Sequence, residues 1–116
     1  MDDRKKELKQ KYKQMKPQMG LMIIRNIKDN KCYIEGVKDL KSVMNSARFK
    51  LESGNHPNTE LQKRWNEIGE SFFKFEILDY LNYSKDETKT DYKDDLQALR
   101  AMWMEKIARA GMEFYE

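Results

Sequence analysis

Tyr33 and Glu35 stand two residues apart in Lys-Cys-Tyr-Ile-Glu-Gly-Val, residues 31–37, a stretch that reads as a β-strand. Alternation along a strand places both side chains on one sheet face, where a phenol adjoins a carboxylate and Glu35 can reach a divalent metal. The other reactive side chains are solitary. His56 is the one histidine of the chain, so neither a histidine cluster nor a two-histidine metal motif can form. It precedes Pro57, and a lone loop histidine there reads as a local hydrogen-bond partner near a helix start. Cys32 is the one cysteine, which rules out an internal disulfide and a cysteine-built zinc site. Beside Tyr33 in a strand it is expected to pack as a small apolar side chain, with nothing to lower its pKa.

The elements that must position these residues follow from length and patterning. A chain of 116 residues makes one domain. Charged residues are 37% of it and balance to +3, too mixed to declare a nucleic-acid binder and too charged for a membrane protein. No run of about 18 apolar residues occurs, and the charged start lacks the apolar stretch of a signal peptide, so a cytoplasmic domain is expected. The charge is uneven. In residues 1–16, Arg4, Lys5, Lys6, Lys9, Lys11, Lys13 and Lys16 face only Asp2, Asp3 and Glu7, which leaves the rest of the chain at −1. This basic segment, residues 1–19, is read as a short helix or a frayed arm that stops at Pro17. Leu8, Tyr12 and Met15 form a docking stripe; the competing use is a basic arm for phosphate backbones.

Residues 20–27 are strand-like and should pair with 31–37 as a hairpin across Lys28-Asp29-Asn30. Asp39 caps a helix carrying Leu40, Val43, Met44, Ala47 and Leu51, and Gly54 closes it. After the Asn55–Asn58 loop, Thr59 with Gln62 has capping-box spacing for a second helix burying Leu61, Trp65 and Ile68 and ending at Gly69. Phe73, Phe75 and Ile77 alternate with Lys74 and Glu76, a third strand with one wet face. The polar stretch 82–95 leads into a last helix with Tyr92, Leu96, Leu99, Trp103, Ile107 and Ala110 on one side and Gly111 as its stop. Met102 and Met104 are read as helix packing, with Met104 the more exposed. The fold class is α/β (α+β): a small, mainly antiparallel three-stranded sheet flanked by helices, in the order ββααβα after the leading segment. Residues 20–111 form the domain, and 112–116 are a tail whose Phe114 and Tyr115 either anchor it or leave it disordered.

Several blocks together resemble the GIY-YIG nuclease family, in particular its small stand-alone bacterial members. They are Met19-Gly20-Leu21-Met22 with Tyr33-Ile34-Glu35 and Lys38-Asp39-Leu40, and Gly54-Asn55-His56-Pro57-Asn58-Thr59-Glu60-Leu61-Gln62 with Trp65-Asn66-Glu67-Ile68-Gly69. Phe73-Lys74-Phe75-Glu76-Ile77-Leu78 and Asp95-Leu96 through Trp103-Met104-Glu105-Lys106 complete the resemblance, which spans residues 4–107. It implies a phosphodiester-hydrolysing ancestry in which a tyrosine-assisted water attacks, an arginine meets the phosphoryl charge and a glutamate holds a divalent metal. Carried over position by position, the first tyrosine falls on Met22, the arginine on Val43 and the metal-binding glutamate on Arg100. Tyr33 is kept, and Glu35 replaces a glycine. Arg48 lies about 140° around the helix from Val43 and does not substitute for the arginine. Glu105, five residues past Arg100, faces away similarly. Glu35 and Arg100 are then opposite charges at one groove, where they either pair and fill the ancestral metal site or point separately to solvent.

The reading is a catalytically inactive GIY-YIG-like binding module with nucleic acid, DNA or RNA, as its ligand. Contacts are expected from Lys38, Lys41 and Arg48, with Lys9 and Lys13 of the leading segment as a phosphate clamp. One alternative is a protein-interaction or assembly module. The other is a residual enzyme using Tyr33 and Glu35, the only case that calls for Mg²⁺ or Mn²⁺; otherwise no cofactor and no metal site are expected.

Overall fold

The computed structural model describes residues 16–116, so the expectations for residues 1–15, Lys9 and Lys13 included, lie outside it. Strands β1 (Met19–Asn26) and β2 (Lys31–Val37) form an antiparallel hairpin in which Met22 faces Glu35 and Ile24 faces Tyr33. The first strand ends one residue earlier than patterning suggests, because Ile27 enters the turn and its amide turns to the Phe72 carbonyl at 3.0 Å. Helices α1 (Leu40–Ser53) and α2 (Thr59–Ile68) follow, then a 3₁₀ turn at Glu70–Phe72, strand β3 (Phe73–Leu81), helix α3 (Lys93–Arg109) and a two-residue strand β4 (Glu113–Phe114).

The sheet is therefore four-stranded and mixed, in the order β3-β1-β2-β4, rather than three-stranded. β3 pairs antiparallel with β1, and β4 runs parallel to β2. Two residues carry no readable periodicity, so β4 exists only because the chain after Gly111 folds back along β2. The tail is an anchor. Tyr115 is buried, its amide bonds the Cys32 carbonyl at 2.9 Å, and its hydroxyl accepts from Asn26 Nδ2 at 2.7 Å.

Both faces of the sheet are covered. On the first, Met22, Ile24 and Tyr33 pack with Leu40, Ala47 and Leu51 of α1, Leu61 and Trp65 of α2, and Phe73 and Phe75. On the second, Leu21, Ile23, Cys32 and Ile34 pack with Leu99, Trp103, Met104 and Ile107 of α3 and with Phe114. Met104 thus packs and Met102 is the exposed methionine, the reverse of the expected phase on α3. Side-chain direction alternates in β3 from Phe73 to Ile77, with Phe73 and Phe75 packed in the core and Ile77 exposed, and then the alternation breaks. Leu21 pairs with Asp79 and Met22 with Ile77, so Leu78 is the extra residue of a β-bulge and joins the second face. Gly20 fits this close approach, since a Cβ there would stand 2.1 Å from the Asp79 carbonyl oxygen.

The caps agree with the sequence for α1, where Asp39 accepts from the Ser42 amide at 3.1 Å and Gly54 takes φ 81°. For α2 the cap is Asn58, which accepts from the Leu61 amide at 2.9 Å, not Thr59. Gln62 is freed from the supposed capping box and turns inward. It accepts from the His56 amide and donates to the Leu51 carbonyl, both at 3.0 Å, tying the end of α1 to the loop and to α2.

The tail anchor is directly testable. Tyr115→Phe leaves one buried Asn26 amide hydrogen unpaired, a loss of about 1–3 kcal/mol. Urea unfolding should show a lower midpoint with an unchanged slope; an unchanged midpoint would mean that the tail does not hold the β1–β2 turn.

Candidate functional site

Tyr33 projects from the middle of β2 toward the first face and is half-buried. Its hydroxyl donates to Glu35 Oε2 at 3.2 Å, so the shared face expected from alternation is present and the two side chains touch. His56 closes the other side of the ring. Its imidazole stands edge-on to Tyr33 with centroids 5.2 Å apart and planes at 88°. His56 is buried in the 54–58 loop, where Nδ1 accepts from the Asn58 amide at 3.0 Å, the local hydrogen-bonding role anticipated for it. That bond leaves the proton of the neutral ring on Nε2.

The electrostatics follow from this packing. Burial pushes the Tyr33 phenol up to about 12, with the charge and hydrogen bond of Glu35 acting the same way and Arg100 opposing. Burial also lowers the His56 pKa from its ordinary value, against the pull of Glu35. At neutral pH the phenol keeps its proton and gives it to Glu35 as a hydrogen bond. It is a donor held by a carboxylate, not a base ready for water. Cys32, on the opposite face, is raised to about 11 by burial and is inert.

The remaining positions do not converge with Tyr33 as a catalytic set. Met22 is 0% exposed and lies in the core directly opposite Glu35. Val43 on α1 packs against the same core. Arg100 and Glu35 form no ion pair: Arg100 Nε donates instead to the Ile34 carbonyl at 2.8 Å, which corrects the pairing alternative. The physical reason is the geometry of β2. The carbonyls of Asn30 and Cys32 accept from the amides of Glu113 and Tyr115. Ile34 is the next carbonyl in that series, beyond the end of β4, and Arg100 caps it. The Glu35 side chain leaves perpendicular to that direction, onto the first face.

A divalent metal of the kind the resemblance implies does not fit these residues. Arg100 presents a cation where a carboxylate is needed, and no three His, Cys, Asp or Glu side chains converge among the described residues.

Of the expected nucleic-acid contacts, Lys38, Lys41 and Arg48 are all exposed. Lys41 and Arg48 are seven residues apart on α1 and therefore share a helix face, with Arg48 4.4 Å from the Phe75 ring centre. Lys38 belongs elsewhere: with Lys93, Gln97 and Arg100 it lines a cleft of about 390 Å³ between the open edge of β2 and α3. Lys93 and Gln97 were not singled out by the sequence reading. The available signal was their spacing from Arg100, at i, i+4 and i+7, hidden in a stretch dominated by Asp.

No family model matches the sequence, and no curated protein matches it. Solved structures do. The catalytic domain of the homing endonuclease I-TevI is 25% identical, with a TM-score of 0.65, over 84% of this chain and 95% of that one. A mutant form of the catalytic domain of the same intron endonuclease is 24% identical, again with a TM-score of 0.65, over 85% of this chain and 92% of that one. The fold is GIY-YIG-like, a small α+β domain with a mixed four-stranded sheet flanked by three helices. Among the described residues no helix is long and apolar enough to cross a membrane.

The Tyr33–Glu35 contact has a titration signature. In the difference between wild type and Tyr33→Phe, the missing phenolate step should lie near 12, and Glu35→Gln should lower it only part of the way toward its ordinary value, because burial, the larger cause, remains. The phenol is neutral in both folded and unfolded chains below pH 10, so stability is unaffected there and falls as pH rises from 10 toward 12. Ionisation near 10 in the wild type, unmoved by Glu35→Gln, would mean that the pair does not exist in solution.

Proposed function

We propose that this GIY-YIG-like domain has lost phosphodiester hydrolysis and works as a nucleic-acid-binding module. The observation that carries the reading is the state of Tyr33. The one ancestral side chain that remains is held protonated against Glu35, with buried Met22 opposite and apolar Val43 on α1. A nucleophilic water needs an acceptor for its proton and cations for the developing phosphoryl charge. Here the acceptor is occupied, and Val43 supplies no charge. Binding asks for less: a surface shaped for a strand and cations free to meet phosphates. Lys38, Lys41 and Arg48 provide the latter, and the likeness of the fold to one endonuclease catalytic domain supports the former.

A protein-interaction module is the second reading, favoured by Phe49, which stands 68% exposed on α1.

The test is a titration of labelled single- and double-stranded DNA and RNA at low and moderate salt, with Mg²⁺ and Mn²⁺ present and the products run on a gel. The expected result is binding without cleavage that weakens steeply with salt. A Lys41→Gln, Arg48→Gln double variant should flatten the salt slope by about one to two units. Metal-dependent cleavage abolished by Tyr33→Phe would overturn the loss of hydrolysis. No binding to any strand would overturn the nucleic-acid reading and turn the search to proteins that dock on Phe49.

A further inference from the structure

We infer that Arg100 has converted the position of a metal-binding carboxylate into a metal-independent seat for a phosphate group, shared with Lys38 and Lys93. The inference deepens the nucleic-acid reading and rests on it for the source of the phosphate, a nucleic-acid strand.

Three observations build the seat. Arg100 is anchored rather than free: its Nε bond to the Ile34 carbonyl fixes the guanidinium at the β2 edge, and no other partner within the described residues takes its terminal nitrogens. Its position is half-buried, so part of the desolvation and side-chain ordering that a ligand would otherwise impose is already met by the fold. A guanidinium held by one edge keeps its two terminal nitrogens as a fork for an oxyanion.

The cleft gathers like charge. Lys38, Lys93 and Arg100 line it together with Gly36, Leu96, Gln97 and one carboxylate, Asp91. Asp91 already accepts from the Lys93 amide at 2.9 Å, in a turn that leads into α3. None of the three cations has a carboxylate within ion-pair distance among the described residues, whereas Arg25, Lys31, Arg64, Lys89 and Arg109 are all paired. Three cations against one engaged carboxylate repel one another and repel a metal ion. A bound phosphate relieves that repulsion.

The floor is open because of Gly36. A Cβ at that position would stand 3.1 Å from Leu96 Cβ, so glycine lets α3 lie close on β2 and brings Lys93 and Arg100 to the same edge as Lys38. The amide of Gln97 adds a neutral donor beside them.

The experiment is a heteronuclear NMR titration in metal-free buffer at constant ionic strength. It follows the Arg100 Nε–H and the amides of Gly36 and Lys93, first with inorganic phosphate and then with a short oligonucleotide. Saturable shifts at these groups are expected with both and not with chloride. Arg100→Gln and, separately, Lys93→Gln should abolish them and weaken oligonucleotide binding at least several-fold, while Lys63→Gln, exposed on α2 and outside the cleft, leaves the phosphate shifts intact. Lys93 is exposed, so its variant keeps the test valid if Arg100→Gln disturbs the β2 edge. Shifts that track ionic strength alone would overturn the seat. So would oligonucleotide binding that leaves Arg100 unmoved, although the nucleic-acid reading would then stand. Phosphate shifts with no oligonucleotide binding would support the seat and sink the nucleic-acid source. Line broadening of the Gly36 and Lys93 amides by Mn²⁺ would show that the cleft still receives a cation, against the proposal.

Discussion

The burial of β1 on both faces is the constraint on which the rest of the structure depends. From Met19 to Ile24 every residue is buried, with α1 and α2 over one face and α3 over the other. A strand so enclosed must be apolar at successive positions, and any polar side chain in it needs an internal partner. Asn26 meets that demand by bonding Tyr115, Asp29 and the turn amides of Lys28 and Asp29. Met22 meets it by having nothing to satisfy. A tyrosine there would need a route for its hydroxyl out of the core, and a catalytic site provides such a route as part of its function. Methionine fills the position with no polar atom to place.

The same constraint sorts the remaining changes. Period-two alternation in β2, imposed by its pairing to β1, sends Tyr33 and Glu35 to the first face and Cys32 and Ile34 to the second. Glu35 therefore meets the phenol and influences His56, while Arg100 bonds the strand edge and acts on the phenol only through its charge. Two opposite charges that look like partners in the chain are separated by the direction in which a strand presents its side chains and its carbonyls. Each found a neutral partner instead, a hydroxyl for one and a peptide carbonyl for the other. Both arrangements avoid the desolvation that a buried ion pair would demand.

Where sequence and structure agree, the signal was local and redundant. β2 spans Lys31–Val37 as its composition suggests, and α1 runs between Asp39 and Gly54, each with a specific backbone role. The misses have particular causes. Asn58 and Thr59 are adjacent residues of capping type, and the capping-box spacing from Thr59 to Gln62 pointed to the second, whereas Asn58 caps alone by accepting from the Leu61 amide. β4 is two residues paired to a strand some eighty positions earlier, a contact no local pattern reports. The Leu78 bulge shifts the phase within one strand, which simple alternation cannot anticipate. At the site, the sequence showed which residue types had changed, but not that Arg100 would cap a carbonyl or that His56 would stand against Tyr33. Those facts belong to the packing of α3 and of the 54–58 loop.

Net charge is a poor guide to what such a domain can hold. Outside the leading segment the chain carries −1, which argues against an indiscriminate polyanion binder. Charges more than about 8–10 Å apart are largely screened from one another at ordinary salt, so a ligand meets the local arrangement and not the total. Along β3 and the β1–β2 turn, Arg25 and Arg64 are each neutralised by a carboxylate within 3.1 Å. At the β2–α3 edge Lys38, Lys93 and Arg100 are not. The carbonyl series along β2 explains why an arginine can persist there at all. Beyond β4, Ile34 needs a donor, and only a side chain with several can satisfy that carbonyl and still present nitrogens outward. A lysine reaching the same oxygen would place its whole charge against the strand. Arginine divides the work, closing the sheet edge with Nε and leaving the rest of its fork to the cleft.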